Sequence, residues 1–163
     1  VTESFMNSLK EGGYEILRVP YNFDATQILK TDPDAIILSS GPEDIAEIEK
    51  IALEVKKLVG KKPLFGIASG ALALGSALGC KIKKLKVGHH GVNLPVNYLK
   101  TPKSDITSPH HSYRVDEKEL APAIEITHIN LNDNTVEGFC SKSAKALGIH
   151  YIPVNFEELE RLI

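Results

Sequence analysis

The sequence predicts an α/β protein built on a doubly wound, mostly parallel sheet, with an added antiparallel β portion in its second half. Three observations carry that expectation. Through residue 79, segments with helically spaced apolar residues alternate with short, continuously apolar segments, as strands covered by helices on both faces require. In the stretch PLFGIASGALALGSALG, residues 63–79, a buried type of strand (Leu64, Phe65, Ile67) passes through a small-residue turn into an Ala/Leu-rich helix that stops at Gly79. Beyond Gly79, helical spacing gives way to short strand-like pieces separated by turn residues.

Taken in order, Phe5, Met6 and Leu9 share one face of a helix over residues 3–10, and Gly12-Gly13 stops it. Residues 14–19 (YEILRV) alternate and end at Pro20, which predicts a strand. Asp24 is placed to cap a short helix through Leu29. Residues 35–38 (AIIL) read as a buried strand and 39–44 (SSGPED) as its exit loop. A long helix over 45–59 turns Ile45, Ile48, Ile51, Ala52, Val55, Leu58 and Val59 inward and ends at Gly60. After the 63–79 unit, strand-like pieces are expected at 80–87, 92–98, 105–108, 124–130 and 135–140. The last two form a hairpin through Asn132-Asp133-Asn134, residue types that tolerate positive φ. A strand at 146–151 and a helix at 155–163 close the chain.

The turn at residues 66–70 is a strand-to-helix elbow. Such a turn lifts one side chain above the sheet and aims backbone N–H groups and a helix N-terminus at it, which suits a nucleophile and its developing oxyanion. The elbow residue is Ala68, so a methyl group stands where the architecture places a nucleophile.

At 163 residues one hydrophobic core is the default, and the whole chain is read as a single domain. Cys80 and Cys140 lie far apart without metal spacing, so two reduced, inert core thiols in a cytoplasmic protein are expected. The net charge of -2 is spread over interspersed residues, with no basic block or aromatic-basic run, which argues against nucleic acid as a partner. No apolar run has membrane-spanning length, and no signal-peptide pattern opens the chain, so no membrane partner is expected. Lys81, Lys83, Lys84 and Lys86 form a basic stripe of the kind that usually faces solvent.

The segments PLFGIASG (63–70), GHHGVNLPV (88–96), ITSPHHSYRVDEKEL (106–120), ITHINLNDNTVEGF (126–139) and VPYNFDATQILKTDPDAIILSSGPED (19–44), in this order and spacing, resemble the class I glutamine amidotransferase domain of the carbamoyl-phosphate synthetase small subunit. The resemblance implies a flavodoxin-like fold, hydrolysis of glutamine to glutamate and ammonia, no cofactor, and partnership with a large synthetase subunit. It also implies a first strand and an N-terminal domain ahead of Val1. Without a neighbour there, an exposed strand edge offers a place for self-association.

The departures from the family pattern bear on activity. Against the family's GICLG elbow stands Gly66-Ile67-Ala68-Ser69-Gly70, and against its HPE run stands Ile152-Pro153-Val154. Nucleophile, base and orienting carboxylate thus fall at Ala68, Ile152 and Val154, none of which can act. The family's substrate glutamine falls at Leu72, and its QNHGF segment places His110, Ser112 and Tyr113 at the pocket. Its GPGD oxyanion loop becomes Gly41-Pro42-Glu43-Asp44, with a carboxylate replacing a glycine. Loss of a nucleophile or its base costs on the order of a million-fold in rate, and here donors and binding residues change too. The expectation is therefore an amidotransferase-like domain without glutaminase chemistry, kept for structural, binding or regulatory reasons. The alternatives are hydrolytic or ligand-binding chemistry in a reshaped pocket using Ser69, His110 and His111, or a glutaminase-dead domain of a larger synthetase.

Ser69, one residue late for a serine elbow, is expected to cap the helix that begins there. In the pairs His89-His90 and His110-His111, neighbours on a strand point to opposite faces, so neither pair chelates one ion by itself, although one member of each could converge. No metal is assigned. His89 and His90 are read as structural, and His110 and His111 as lying at the former substrate pocket.

Overall fold

The structure is a computed structural model and describes residues 3–101 and 104–153. The first half gives helices α1 (Glu3–Glu11), α2 (Ala25–Lys30), α3 (Ile45–Leu58) and α4 (Ser69–Ala77), interleaved with strands β1 (Ile36–Leu38) and β2 (Leu64–Ile67). Among the described residues the second half gives strands only: β3 (Ile82–His90), β4 (Leu94–Tyr98), β5 (Ser104–Thr107), β6 (His110–Val115), β7 (Glu125–Asn130), β8 (Val136–Ser141) and β9 (Ala146–Ile149). The helix expected at 155–163 lies outside the described residues.

Seven strands form one mixed sheet in the order β1-β2-β9-β8-β7-β4-β5. β1, β2 and β9 are parallel, and the antiparallel strands continue the same sheet from β9 outward. β3 and β6 form a separate antiparallel ribbon. The sheet is covered on both faces, as a doubly wound arrangement demands. On one side Phe5 and Leu9 of α1 pack with Phe65, Ile67, Leu147 and Ile149. On the other, Ala52, Val55 and Leu58 of α3 and Ala71, Leu74 and Ala77 of α4 pack with Leu64, Phe139 and Ala146. Along β2 and β9 these are alternate residues, as the two-residue repeat of a strand requires.

The signals for α2 and α3 hold in detail. Asp24 caps α2 by accepting from the Gln27 N–H at 2.7 Å, and Gln27 Oε1 accepts from the Asp24 N–H at 3.0 Å. Asp44 caps α3, and Gly60, with φ of +77°, follows its end. In the β7–β8 hairpin only Asn134 adopts positive φ.

Two segments differ from the sequence reading. Residues 14–19 place Tyr14 and Ile16 against the core in alternation, but they form no strand. Alternation reports only which face is buried, whereas a strand needs a ladder partner, and among the described residues the sheet ends at β1. Conversely, β6 carries no apolar alternation in HHSYRV that would predict it. Only Val115 at its end joins the hydrophobic core; the other buried positions, His111 and Arg114, are polar and meet polar partners, so the strand carries little hydrophobic signature.

Candidate functional site

β2 delivers the chain to Ala68, whose N–H donates to the Ile149 carbonyl at 2.8 Å, and α4 begins at the next residue. Ala68 has φ 52° and ψ −118°. This is a conformation that residues with a Cβ rarely adopt, and holding one there costs about 1–3 kcal/mol. The strained elbow is therefore intact around a methyl group. It is held from both sides by glycines: a Cβ on Gly70 would stand 2.1 Å from the Leu38 carbonyl oxygen, and one on Gly66 would stand 2.7 Å from Ala71 Cα. These contacts bring α4 directly onto the ends of β1 and β2.

Ser69 does not cap α4. It is the first helical residue, the preceding Ala68 has no capping side chain, and the buried Ser69 hydroxyl turns to the loop after β1. There it accepts from the Gly41 N–H at 2.6 Å and donates to the Gly41 carbonyl at 3.0 Å. One glycine thus takes up both a donor and an acceptor role of the hydroxyl, which pins the loop after β1 to the elbow.

A cleft of 220 Å³ opens at this point and brings together Gly41, Glu43, Ala68, Ser69, His110 and Ile152. Leu72 is not among them. It is fully buried in α4 and packs with Ile48 and Ala73. Ser112 and Tyr113 also lie off the cleft, although the Ser112 N–H donates to Glu43 Oε2 at 2.7 Å and so joins β6 to the loop. Val154 lies outside the described residues.

The cleft also contains His150, which the sequence reading does not single out. It lies two residues before Ile152, just past the end of β9, and with Tyr151 and Ile152 lines the same cleft. His150 is wholly buried and neither ring nitrogen has a partner, nor does Glu43 Oε1. Burial pushes the His150 pKa down to about 3, so the imidazole is neutral.

His111 leaves the pocket. In the β3–β6 ribbon His89 stands opposite His111 and His90 opposite His110, with ring centroids 5.0 and 4.6 Å apart. Strand alternation turns the first pair inward and the second to solvent. The inward pair converges on Glu137 of β8: His89 Nδ1 is 2.6 Å from Oε1 and His111 Nε2 is 3.0 Å from Oε2. The other nitrogens face Asp133 Oδ2 at 2.9 Å and the Tyr113 carbonyl at 3.0 Å. Asn130 adds a donor to Glu137 Oε1 at 3.2 Å. Burial alone would raise the Glu137 pKa, but the hydrogen bonds from His111 and His89 outweigh it and hold the carboxyl far below the usual range. Chiefly through the Glu137 hydrogen bond, the His89 pKa is raised.

Both cysteines are free and buried, and burial pushes their thiols up. The four lysines of the stripe are exposed, with Lys81 on Glu119 at 2.5 Å and Lys83 on Asp116 at 3.5 Å. Among the described residues no helix is long and apolar enough to cross a membrane.

A mixed sheet covered on both faces, with a strained strand-to-helix elbow at the edge of a cleft, defines an α/β domain of the nucleophile-elbow kind. The family described as glutamine amidotransferase class-I matches residues 1–153, and the chain belongs to it. Within the family it is similar to carbamoyl phosphate synthase small chains. That of Akkermansia muciniphila is 43% identical over 150 residues, covering 92% of this chain and 40% of that protein. That of Archaeoglobus fulgidus is 39% identical over 153 residues, covering 94% and 43%. The chloroplastic small chain of Oryza sativa is 38% identical over 153 residues, covering 94% and 34%. The chain thus spans about 40% of the length of the curated relatives it matches. The fold is also that of a candidate GMP synthase component from Thermoplasma acidophilum, with TM-score 0.77, 18% identity, and coverage of 93% of this chain and 78% of that one. A glutamine amidotransferase from Thermotoga maritima matches with TM-score 0.66, 17% identity, and coverage of 90% and 68%.

Proposed function

We propose that this domain is a glutaminase-silent relative of the amidotransferase part of carbamoyl phosphate synthase small chains, retained as a binding or regulatory module. The observation that carries the reading is the elbow itself: the backbone of a nucleophile turn holds Ala68, and the same cleft is lined by Ile152, which the sequence resemblance aligns with the family's base. Acyl transfer from an amide needs an attacking atom with a lone pair and a group to take its proton, and neither residue supplies one. Ser69 does not substitute, because its hydroxyl is committed to Gly41. The partners that fit this reading are a second copy of the chain or a large synthetase subunit, and a cytoplasmic location accords with it.

A narrower ligand-binding reading is favoured by His150 and Glu43 Oε1, buried polar atoms left without partners in one cleft. Such atoms are stabilised by any small polar ligand that supplies their missing hydrogen bonds.

The test is release of ammonia and glutamate from glutamine, at high protein concentration, by the parent and by the triple variant Ala68→Cys, Ile152→His, Val154→Glu. No release above the buffer rate is expected from the parent, and measurable release from the variant. Turnover by the parent overturns the silent reading.

A further inference from the structure

We propose that His89, His111 and Glu137 form a divalent transition-metal site that fastens the β3–β6 ribbon to the main sheet. Their donor atoms all lie within 4.8 Å of one another, and all three side chains are buried. They come from β3, β6 and β8, so an ion here ties together segments that the backbone ladders leave in two separate sheets.

The orientation of the rings carries the inference. His111 Nδ1 faces the Tyr113 carbonyl, and His89 Nε2 faces the Asp133 carboxylate; both partners only accept, so each outer nitrogen carries a proton. In the neutral ring that leaves His111 Nε2 and His89 Nδ1 as lone pairs aimed at the two oxygens of one carboxylate, a mutually repulsive set unless a cation sits among them. A proton on each inner nitrogen meets the need, and so does one metal ion. The outer contacts are those of a built metal site, in which each ligating imidazole donates its far N–H to a carboxylate or backbone carbonyl that fixes tautomer and ring direction. Asp133 is itself positioned by Thr135, whose N–H and hydroxyl donate to its other oxygen at 3.1 and 2.7 Å.

The donor set selects the ion. Two imidazoles and one carboxylate suit zinc and its neighbours, whereas calcium and magnesium take oxygen ligands. Bond lengths near 2.0–2.1 Å at tetrahedral angles put donors about 3.3 Å apart. The His89–Glu137 and His111–Glu137 separations of 2.6 and 3.0 Å reach that value with shifts of a few tenths of an ångström at each donor. A second cleft, of 260 Å³, is lined by His89, Asn130 and Asp133 and gives an ion a way in from solvent.

The experiment adds Co²⁺ or Zn²⁺ alone to the purified, chelator-treated chain. One equivalent of Co²⁺ is expected to produce the visible absorption of a four-coordinate site, Zn²⁺ to displace it, and Zn²⁺ to raise the thermal midpoint. His111→Gln is expected to abolish both effects. Because that variant alters a buried network, Asp133→Asn provides the second arm: its side chain is 43% exposed, and the amide oxygen of asparagine can still accept from Thr135. It is expected to weaken Zn²⁺ about 10- to 100-fold in competition with a chromophoric chelator, the usual cost of losing an outer carboxylate. The exposed pair is the control, and His90→Ala with His110→Ala is expected to leave affinity unchanged. Absence of metal binding by the parent, unaltered affinity in Asp133→Asn, or loss of binding with the exposed pair would each overturn the proposal.

Discussion

Ala68 holds a backbone shape that suits a nucleophile around a methyl group that only borders the core. With φ 52° and ψ −118° it keeps the strain of the elbow without the reactive atom. Glycine adopts such angles freely, at an entropic cost of about 0.5–1 kcal/mol in the unfolded chain, against about 1–3 kcal/mol of strain relieved. Ala68→Gly is thus expected to stabilise the domain by about 1 kcal/mol, read as a higher urea midpoint at unchanged slope. A lower midpoint would show that the Ala68 methyl is a needed packing element instead. The neighbouring Ser69→Ala removes both hydrogen bonds to Gly41, with an expected loss of about 1 kcal/mol. Faster hydrogen exchange at the Gly41 amide is the local readout. Ala68 and Ser69 also mark how far residues can be read from sequence. The position of the elbow follows from residue sizes and strand pattern. That Ser69 reaches across to Gly41 instead of capping α4 does not, because its partner lies 28 residues away and is chosen by how β1 and β2 pack.

At the scale of elements, glycines set how closely α4 approaches the sheet. A Cβ on Gly70 would meet the backbone of Leu38 and Ser39, which cannot swing aside as a flexible side chain can. Gly70→Ala is expected to cost about 3 kcal/mol or more, at the upper end of overpacking effects, and to open the elbow with it. Retention of wild-type stability in equilibrium unfolding would mean that α4 can slide without loss. The ribbon depends on a different device. Glu137→Ala removes the carboxylate on which groups from β3, β6 and β7 converge, and breaking a buried charged network of this kind costs about 3–5 kcal/mol. Apolar periodicity gives little warning of this network. It finds α3, β1 and β2 because their inner faces are hydrophobic, and it misses β6 because that strand's inner face includes His111, satisfied by Glu137 from β8. The hints are the two histidine pairs, of which one member each could converge, and a glutamate between Val136 and Gly138 in a strand otherwise made for burial.

At the scale of the whole molecule the cleft is assembled from the loop after β1, the elbow, the entry to β6 and the segment after β9, all far apart in sequence. That explains why the fold and the replaced motif positions are legible separately while the remaining pocket is not: motifs name positions, and only the sheet order brings His150 beside Glu43. The same assembly predicts how far activity can be built. The triple variant Ala68→Cys, Ile152→His, Val154→Glu supplies an attacking thiol and its partners, but Glu43, in the loop that the resemblance equates with the family's oxyanion loop, keeps a carboxylate in the cleft. One oxyanion-hole donor is worth about 10²–10³ in rate, so a negative charge set against that hole is no small defect. Adding Glu43→Gly removes the charge and gives backbone freedom to the loop, while Ser69 continues to hold Gly41. Glutamine turnover by the quadruple variant is expected to exceed that of the triple by about ten-fold or more, carried by kcat, because the interaction gained exists only in the transition state. Equal kcat in the two variants would locate the residual defect elsewhere, with Leu72, which the resemblance sets at the family's substrate glutamine, the first candidate, since its side chain packs with Ile48 and Ala73 away from the cleft.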